Sequence, residues 1–267
     1  MAIAENYNST NLNIKAGDLE VRLAENNVEI DAAQKLRYKV FYEEMLARPS
    51  ENQKRLKRDI DIYDFYFDHI LVIDNSILGT FQDKVVGTYR LNRGNYKTKK
   101  KFFYTANEFN IEKLLKSEHK ILELGRSCVD EKYRNGKIMQ MLWKFIAQYV
   151  NIFEINIMFG CASFPGTDTS IYKDTFSYLH NNYLAPENIR PVAIDERFIN
   201  MNHNLDNQYT FKKFLGDIPP LIKGYIRLGA FIGEGAVIDH DFNTVDVCIV
   251  LPTKKVASRY MDHYDRK

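Results

Sequence analysis

Very little in this chain points to a metal, a membrane span or a nucleic acid. Cysteine is scarce, with 3 in 267 residues, and Cys128, Cys161 and Cys248 lie far apart in apolar surroundings. With no Cys-x-x-Cys pair and no histidine cluster beside them, this spacing excludes a zinc site and a disulfide framework and reads as buried free thiols in a reducing compartment. Charge of one sign is lacking as well: 37 Lys+Arg against 35 Asp+Glu leave +2. A balance that close argues against binding by bulk charge, so nucleic acid is excluded as a partner and only local patches remain to act. No apolar run approaches the roughly 18 residues that a membrane span requires. The opening MAIAENYNSTNLNIK is polar, unlike the charged-then-apolar pattern of a secretion signal. The expected location is the cytoplasm.

What remains is the pattern of a globular protein. A hydrophobic fraction of 45% and a mean hydropathy of −0.39 suit one sizeable core or at most two small ones. Residues 1–18 read as a polar N-terminal tail and 19–267 as a single domain. DLEVRLAEN reads as a strand. IDAAQKLRYKVFYEEM reads as a helix, with Ile30, Ala33, Leu36, Val40 and Phe41 at helical spacing. ARPSENQKRLKRDIDIYDFYF reads as a charged, loop-like insert, and HILVIDN and VVGTYRLNR as a hairpin. ILELGRSCV and INIMFGCASF read as buried strands on either side of the helix GKIMQMLWKFIAQYVNIF, and VDVCIVL as a last strand. This order predicts an α+β fold, a mixed sheet with helices on both faces.

One stretch carries chemistry. In ILELGRSCVDEKYRNGK, residues 121–137, an apolar strand holds Glu123 and Arg126 and runs through a polar turn into a helix. Residues three apart on a regular strand point to opposite faces. Gly125 between them reads either as a packing glycine beside a salt bridge or as the mark of a bulge, which would free backbone N–H groups near Ser127 and Cys128. The turn Arg134–Asn135–Gly136–Lys137 starts a helix, whose unpaired N–H groups suit a phosphate. A single glycine is much weaker than a glycine-rich phosphate loop, and plain loop-to-helix passage fits equally. Upstream, Asp59, Asp61, Asp64 and Asp68 crowd RDIDIYDFYFDH, either as a solvated loop or as a carboxylate cluster for an amine. His69 and Asp74 match an H-x4-D acyltransferase spacing, but positions five apart on a strand face opposite ways, so this dyad is rejected. Cys161 and Ser163 in GCASF have no histidine nearby in sequence and read as packing residues.

Together, LRYKVFYEEM (36–45), DIDIYDFYFDHILVID (59–74), VVGTYRL (85–91), EFNIEKLL (108–115), LELGRSCVDEKYR (122–134), FGCASFPGTD (159–168) and PPLIKGYIRLGAFIGEGAVIDHDFNTVDVCIVL (219–251) resemble the bacterial ornithine lipid N-acyltransferases, also called hemolysin-like GNAT proteins. The resemblance runs in order from about residue 19 to the C-terminus. It implies a GNAT fold and transfer of a 3-hydroxyacyl chain from acyl carrier protein to the α-amine of ornithine, giving lyso-ornithine lipid. The same segments are similar, more distantly, to acyl-homoserine lactone synthases. Their helix-1 arginine and phenylalanine fall on Arg37 and Phe41, their acidic triad on Asp59, Asp61 and Asp64, their next arginine on Arg90, and their Glu-x-x-Arg pair on Glu123 and Arg126. Asp59 stands where those enzymes have Glu, and the PPLIKGYIRLGAF region extends past their usual length; both departures favour the ornithine branch.

On this resemblance Glu123 and Arg126 are the catalytic pair. Glu123 takes a proton from the α-ammonium, directly or through water, and the N–H groups of Ser127 and Cys128 hold the oxyanion. Arg37, Phe41, Asp59, Asp61, Asp64 and Arg90 bind substrate or order the loop above it. Arg134, Asn135, Gly136 and Lys137 meet the phosphopantetheine. The one-glycine turn disfavours CoA itself and suits a protein-bound donor, with no metal and no resident cofactor. Arg93, Lys97, Lys99, Lys100 and Lys101 form the basic patch expected to dock acidic acyl carrier protein, or else the cytoplasmic face of the inner membrane as a peripheral contact. The alternatives are another amino acid or small amine as acceptor, acyl-homoserine lactone synthesis, or a noncatalytic hemolysin-like protein that binds lipid.

Overall fold

The computed structural model describes residues 12–94, 102–203 and 208–254. In chain order, β1 (Asn13–Ala16) and β2 (Leu19–Leu23) lead into α1 (Asn27–Tyr38), which continues as a π-helical segment, Lys39–Glu44. Then come α2 (Glu51–Leu56), a 3-10 turn (Ile62–Phe65), β3 (Asp68–Asp74), α3 (Phe81–Lys84) and β4 (Val85–Asn92). A second 3-10 turn (Tyr104–Asn107), β5 (Phe109–Asn110) and α4 (Glu112–Lys116) precede β6 (Ile121–Val129), α5 (Lys137–Ile152) and β7 (Ile157–Pro165). The last third holds α6 (Lys173–Tyr183), β8 (Val192–Ala193), β9 (Phe198–Ile199), α7 (Phe211–Asp217), α8 (Pro220–Leu228), β10 (Phe231–Ile232), β11 (Ala236–Asp239) and β12 (Thr244–Pro252). No helix among the described residues is long and apolar enough to cross a membrane.

The chain divides into two compact units. One takes the residues up to Phe102 together with Leu124–Glu154, the other Phe103–Glu123 together with the residues from Ile155 onward. The boundary falls inside β6. In the first unit the strand order is β1-β2-β3-β4-β6, antiparallel from β1 to β4. In the second, Ile121–Glu123 of β6 run parallel to Ile157–Phe159 of β7, and β12, β11 and β9 follow antiparallel. The sheet is therefore mixed, as the order of strands and helices predicted.

Alternation along β3 puts helices on both faces. Leu71 and Ile73 pack with Ala32, Ala33, Leu36 and Val40 of the α1 region, while Phe41 covers the edge of that cluster. Val72 points the other way, toward Ile138 of α5. A Cβ on Gly87 would sit 3.0 Å from Ile138 and 3.1 Å from Val72, so a glycine on β4 is what lets α5 lie this close. Each apolar side chain fully buried in such a layer contributes about 1.5–3 kcal/mol.

Local signals explain the helix starts. Asn26 caps α1 by accepting from the N–H groups of Val28 and Glu29 at 3.0 and 3.1 Å. Ser50 and Gln53 form a reciprocal capping box on α2, so the segment expected to be all loop contains a helix. The apolar stripe of α1 is also corrected: Ile30 is only half-buried, whereas Arg37 is completely buried. The irregularity expected near Gly125 falls one residue later, at Arg126, whose φ of 50° is left-handed. β1 occupies part of the stretch expected to be tail.

Candidate active site

The three aspartates of DIDIYD and three arginines from distant segments form one buried network in the first unit. Arg37 donates from Nε to Asp59 Oδ2 at 2.8 Å and from Nη2 to both oxygens of Asp64 at 2.9 and 3.0 Å. The same Nη2 meets the Asp59 carbonyl. Arg90 Nη1 donates to Asp61 at 2.7 Å and to Asp64 at 2.8 Å, and its guanidinium lies over the Phe67 ring at 4.7 Å. Arg126 reaches Asp59 at 3.2 Å and Asp61 at 3.5 Å. Tyr42 donates to Asp59 at 3.1 Å and Gln34 to Asp64 at 2.9 Å. Asp61 and Asp64 also cap their own 3-10 turn reciprocally, which explains the short spacing of the acids.

Three guanidinium groups face three carboxylates, so the network neutralises itself. Burial alone would raise the carboxylates, but Arg37, Arg126 and Arg90 outweigh it and hold Asp59 below the usual range. Asp64 is likewise driven down, by Arg37 and Arg90 against the same burial. His69, whose Nε2 lies 3.1 Å from the Asp64 carbonyl, is pushed down to about 4 by burial and by Arg37. It is a neutral member of the network. Asp74, its rejected dyad partner, instead accepts from Tyr133 and Ser76. Of the sequence candidates, the structure thus gathers Arg37, Asp59, Asp61, Asp64, Arg90 and Arg126, while Phe41 packs beside the core.

Arg126 combines a left-handed backbone with a place in this network. Its guanidinium serves two aspartates from a strand position where regular alternation is interrupted, and Gly125 beside it has only a remote neighbour, Phe67 at 3.9 Å. Cys128, two residues on, packs into the α1 core. At the start of α5, Gly136 is left-handed with φ 87°, a conformation that favours glycine. Asn135 caps the Lys137 N–H at 3.1 Å. Arg134 donates to the Val129 carbonyl at 3.0 Å and to Glu44 at 2.5 Å, so it ties the turn to the π segment. Arg93 stacks on Phe153 at 3.8 Å and pairs with Asp68 at 3.8 Å. Lys97, Lys99, Lys100 and Lys101 lie outside the described residues.

Glu123 belongs to the second unit and is 1% exposed. Its Oε1 accepts from the N–H and the hydroxyl of Thr105, both at 2.6 Å, and its Oε2 from the Tyr104 N–H at 3.1 Å. Three donor atoms of one 3-10 turn and one carboxylate therefore fix each other. Thr105 went unnoticed in the sequence, since nothing about Tyr-Thr-Ala-Asn signals a carboxylate 18 residues away.

The same turn ends beside a second group that the sequence reading missed. Glu108, Asp239 and Asp246 each place an oxygen within 4.8 Å of the others. Burial and the Asp246 charge push Glu108 up to about 8. Cys161 hydrogen-bonds Glu108, and burial holds its thiol far above the usual range; it packs against the core as expected, whereas Ser163 is exposed. All three cysteines are free thiols. The available signal was Asp246 alone among apolar residues in VDVCIVL.

Residues 36–144 match the acetyltransferase (GNAT) domain family. With the mixed sheet and its helices, this makes the chain a GNAT-fold acyltransferase. It is 45% identical over 253 residues to the L-ornithine N(alpha)-acyltransferase of Agrobacterium fabrum (strain C58), covering 94% of this chain and 86% of that one. The corresponding protein of Rhizobium meliloti (strain 1021) is 44% identical, with 94% and 85% covered. The chain belongs to the L-ornithine N(alpha)-acyltransferase family. Among solved structures, an N-acyl amino acid synthase from uncultured soil microbes aligns over 90% of this chain and 94% of that one, at 10% identity and a TM-score of 0.47.

Proposed function

We propose that this protein transfers a 3-hydroxyacyl chain from acyl carrier protein to the α-amine of ornithine, at the cytoplasmic face of the membrane where its lipid product is needed. The observation that carries this reading is the 45% identity to an L-ornithine N(alpha)-acyltransferase across 94% of the chain. The reaction needs a base for the α-ammonium and donors for the oxyanion formed when the amine attacks the thioester; collapse of that oxyanion breaks the C–S bond and releases the carrier's phosphopantetheine as the thiol, its proton supplied by the attacking nitrogen. Glu123 is the base, directly or through one water. Its fixed carboxylate, held by Tyr104 and Thr105, suits a proton acceptor whose position must not vary. The N–H groups of Ser127 and Cys128, just past the left-handed Arg126, hold the oxyanion; one such donor is commonly worth about 3 kcal/mol.

The arginine–aspartate network acts mainly as a rigid support. Arg37 and Arg90 are committed to aspartates at complete or near-complete burial. The Arg126 side chain, at 12% exposed, is the arginine left to meet a substrate carboxylate without dismantling the rest. The start of α5 takes the phosphopantetheine phosphate, and with a single glycine it serves a protein-bound donor better than a whole CoA nucleotide. Purified protein supplied with ornithine and either donor tests this. Product is expected from the carrier-protein thioester and little from acyl-CoA; equal turnover with both at matched concentration overturns the donor assignment, and no ornithine acylation with either overturns the acceptor.

A further inference from the structure

The second unit holds a group that the acyl transfer itself does not use. Glu108, Asp239 and Asp246 are 1%, 7% and 4% exposed. Glu108 follows the turn Tyr104–Asn107, Asp239 ends β11, and Asp246 lies on β12. Thr244 is the ladder partner of Asp239 and stands two residues from Asp246, so its hydroxyl shares their face of the sheet. Glu108 Oε2 and Thr244 Oγ1 are both buried without a hydrogen-bond partner among the described residues, which is costly unless a donor arrives. Other contacts are already made, the Cys161 hydrogen bond to Glu108 among them. Glu108 Oε1 accepts from the Tyr104 hydroxyl at 3.4 Å. Asp239 Oδ1 accepts from the N–H groups of Asp241 and Phe242 at 2.8 and 2.9 Å. Arg197, which attracts Glu108, commits Nη2 to the Ile238 carbonyl at 2.7 Å. Ser163, the ladder partner of Asp246, is exposed, so the group lies one residue from solvent.

We infer, resting on the ornithine reading above, that Glu108, Asp239, Asp246 and the Thr244 hydroxyl bind the side-chain ammonium of the amino-acid acceptor. An alkylammonium has three N–H donors pointing tetrahedrally. At an ordinary N···O distance of about 2.9 Å, their acceptors lie about 4.7 Å from one another, and the three carboxylate oxygens here lie within 4.8 Å. Tyr104 supplies the link to the reacting end. Its N–H binds Glu123 and its hydroxyl binds Glu108, so one residue spans the two carboxylates as a diamino acid would span them with its two nitrogens. The assignment divides the labour: Glu123 takes the α-amine to be acylated, and the trio holds the side-chain amine that must not be. Without a bound cation Glu108 retains a proton at neutral pH, because burial and Asp246 outweigh Arg197. The ammonium displaces that proton.

The test compares ornithine with norvaline, which has the same carbon chain and no side-chain amine. Wild-type protein is expected to prefer ornithine by at least about 100-fold in kcat/KM, and Asp239→Asn and Asp246→Asn to reduce that ratio by about the same factor. Thermal melts check that both variants fold. Independently of any variant, calorimetry of the wild type at pH 7 in buffers of different ionisation enthalpy should show proton release with ornithine and none with norvaline. Wild-type protein that acylates both amino acids equally, folded variants that keep the ratio, or ornithine binding without proton release would each overturn the inference while leaving the acyl transfer standing. Activity lost to EDTA and restored by calcium or magnesium would assign the trio to a metal ion instead. Acylation of neither amino acid sinks the acceptor reading and this inference with it.

Discussion

Asp59, Asp61 and Asp64 in the first unit and Glu108, Asp239 and Asp246 in the second are both carboxylate trios on a protein interior, yet they are compensated in opposite ways. The first meets three arginines, and Asp59 and Asp64 are held below the usual range. In the second, burial and the Asp246 charge push Glu108 up to about 8. A buried network whose charges cancel serves as framework, even with Arg37 Nη1, Arg90 Nε and His69 Nδ1 lacking a hydrogen-bond partner among the described residues. A buried group of like-charged residues that keeps a proton on Glu108, with unpartnered acceptors at Glu108 Oε2 and Thr244 Oγ1, is one that a cation can complete. The lesson is that a trio of acids says little until its counter-charges are known.

The comparison breaks most readily at Arg37. Arg37→Ala leaves Asp59 and Asp64 buried and short of a partner, and is expected to cost about 3–5 kcal/mol of folding stability. Urea denaturation measures it, and a loss under 1 kcal/mol would mean that the network is not the framework described. Glu123→Gln keeps the shape of the side chain and is expected to fold, with turnover lower by at least about 100-fold. Wild-type turnover and pH dependence in that variant would make Glu123 structural only.

The two trios also predict opposite pH responses. Asp59 and Asp64 are depressed from an ordinary 3.8 and His69 from 6.5 to about 4, so the unfolded chain binds their protons first as pH falls. The stability they contribute is lost toward acid, beginning below pH 6.5 for His69. Glu108 is raised from 4.5 to about 8 by burial, Asp246 and Asp239 against the Cys161 hydrogen bond and Arg197. Its contribution is present at low pH and lost as pH rises from 4.5 through 8. Glu108→Gln should therefore melt a few degrees above wild type at pH 8.5 and show less advantage at pH 5. An advantage independent of pH would remove Glu108 as the cause.

The smallest effect lies outside both trios. Replacing Lys99, Lys100 and Lys101 by Glu is expected to raise the KM for acyl carrier protein a few-fold at low salt, weaken its salt dependence and leave kcat nearly intact, because rim charges act mainly on association. An unchanged KM with lost binding to anionic vesicles assigns the patch to the membrane.

Much of this was legible in sequence because it depends on neighbours along the chain. The hairpin of β3 and β4 and the strand–turn–helix from Ile121 to Ile152 follow from period and turn chemistry. The helix at Glu51 was legible too, in its Ser50 and Gln53 cap, and was hidden only by the charge around it. Position 37 was less accessible. The resemblance named Arg37 as a residue that binds substrate or orders the loop, and helical spacing did not signal its burial; it is buried because Asp59 and Asp64, more than 20 residues away, turn back against it.

By itself, then, the sequence determined the mixed α+β sheet and the family, since these are set by local periodicity and by motifs that keep their order. Tertiary structure alone decided which charges cancel. Thr105 reaches Glu123 across 18 residues, and Glu108 meets Asp239 and Asp246 across more than 130. The pKa of a carboxylate is governed by what lies within a few ångströms in a low-dielectric interior, and proximity of that kind is created by strand pairing between distant segments rather than by any spacing along the chain.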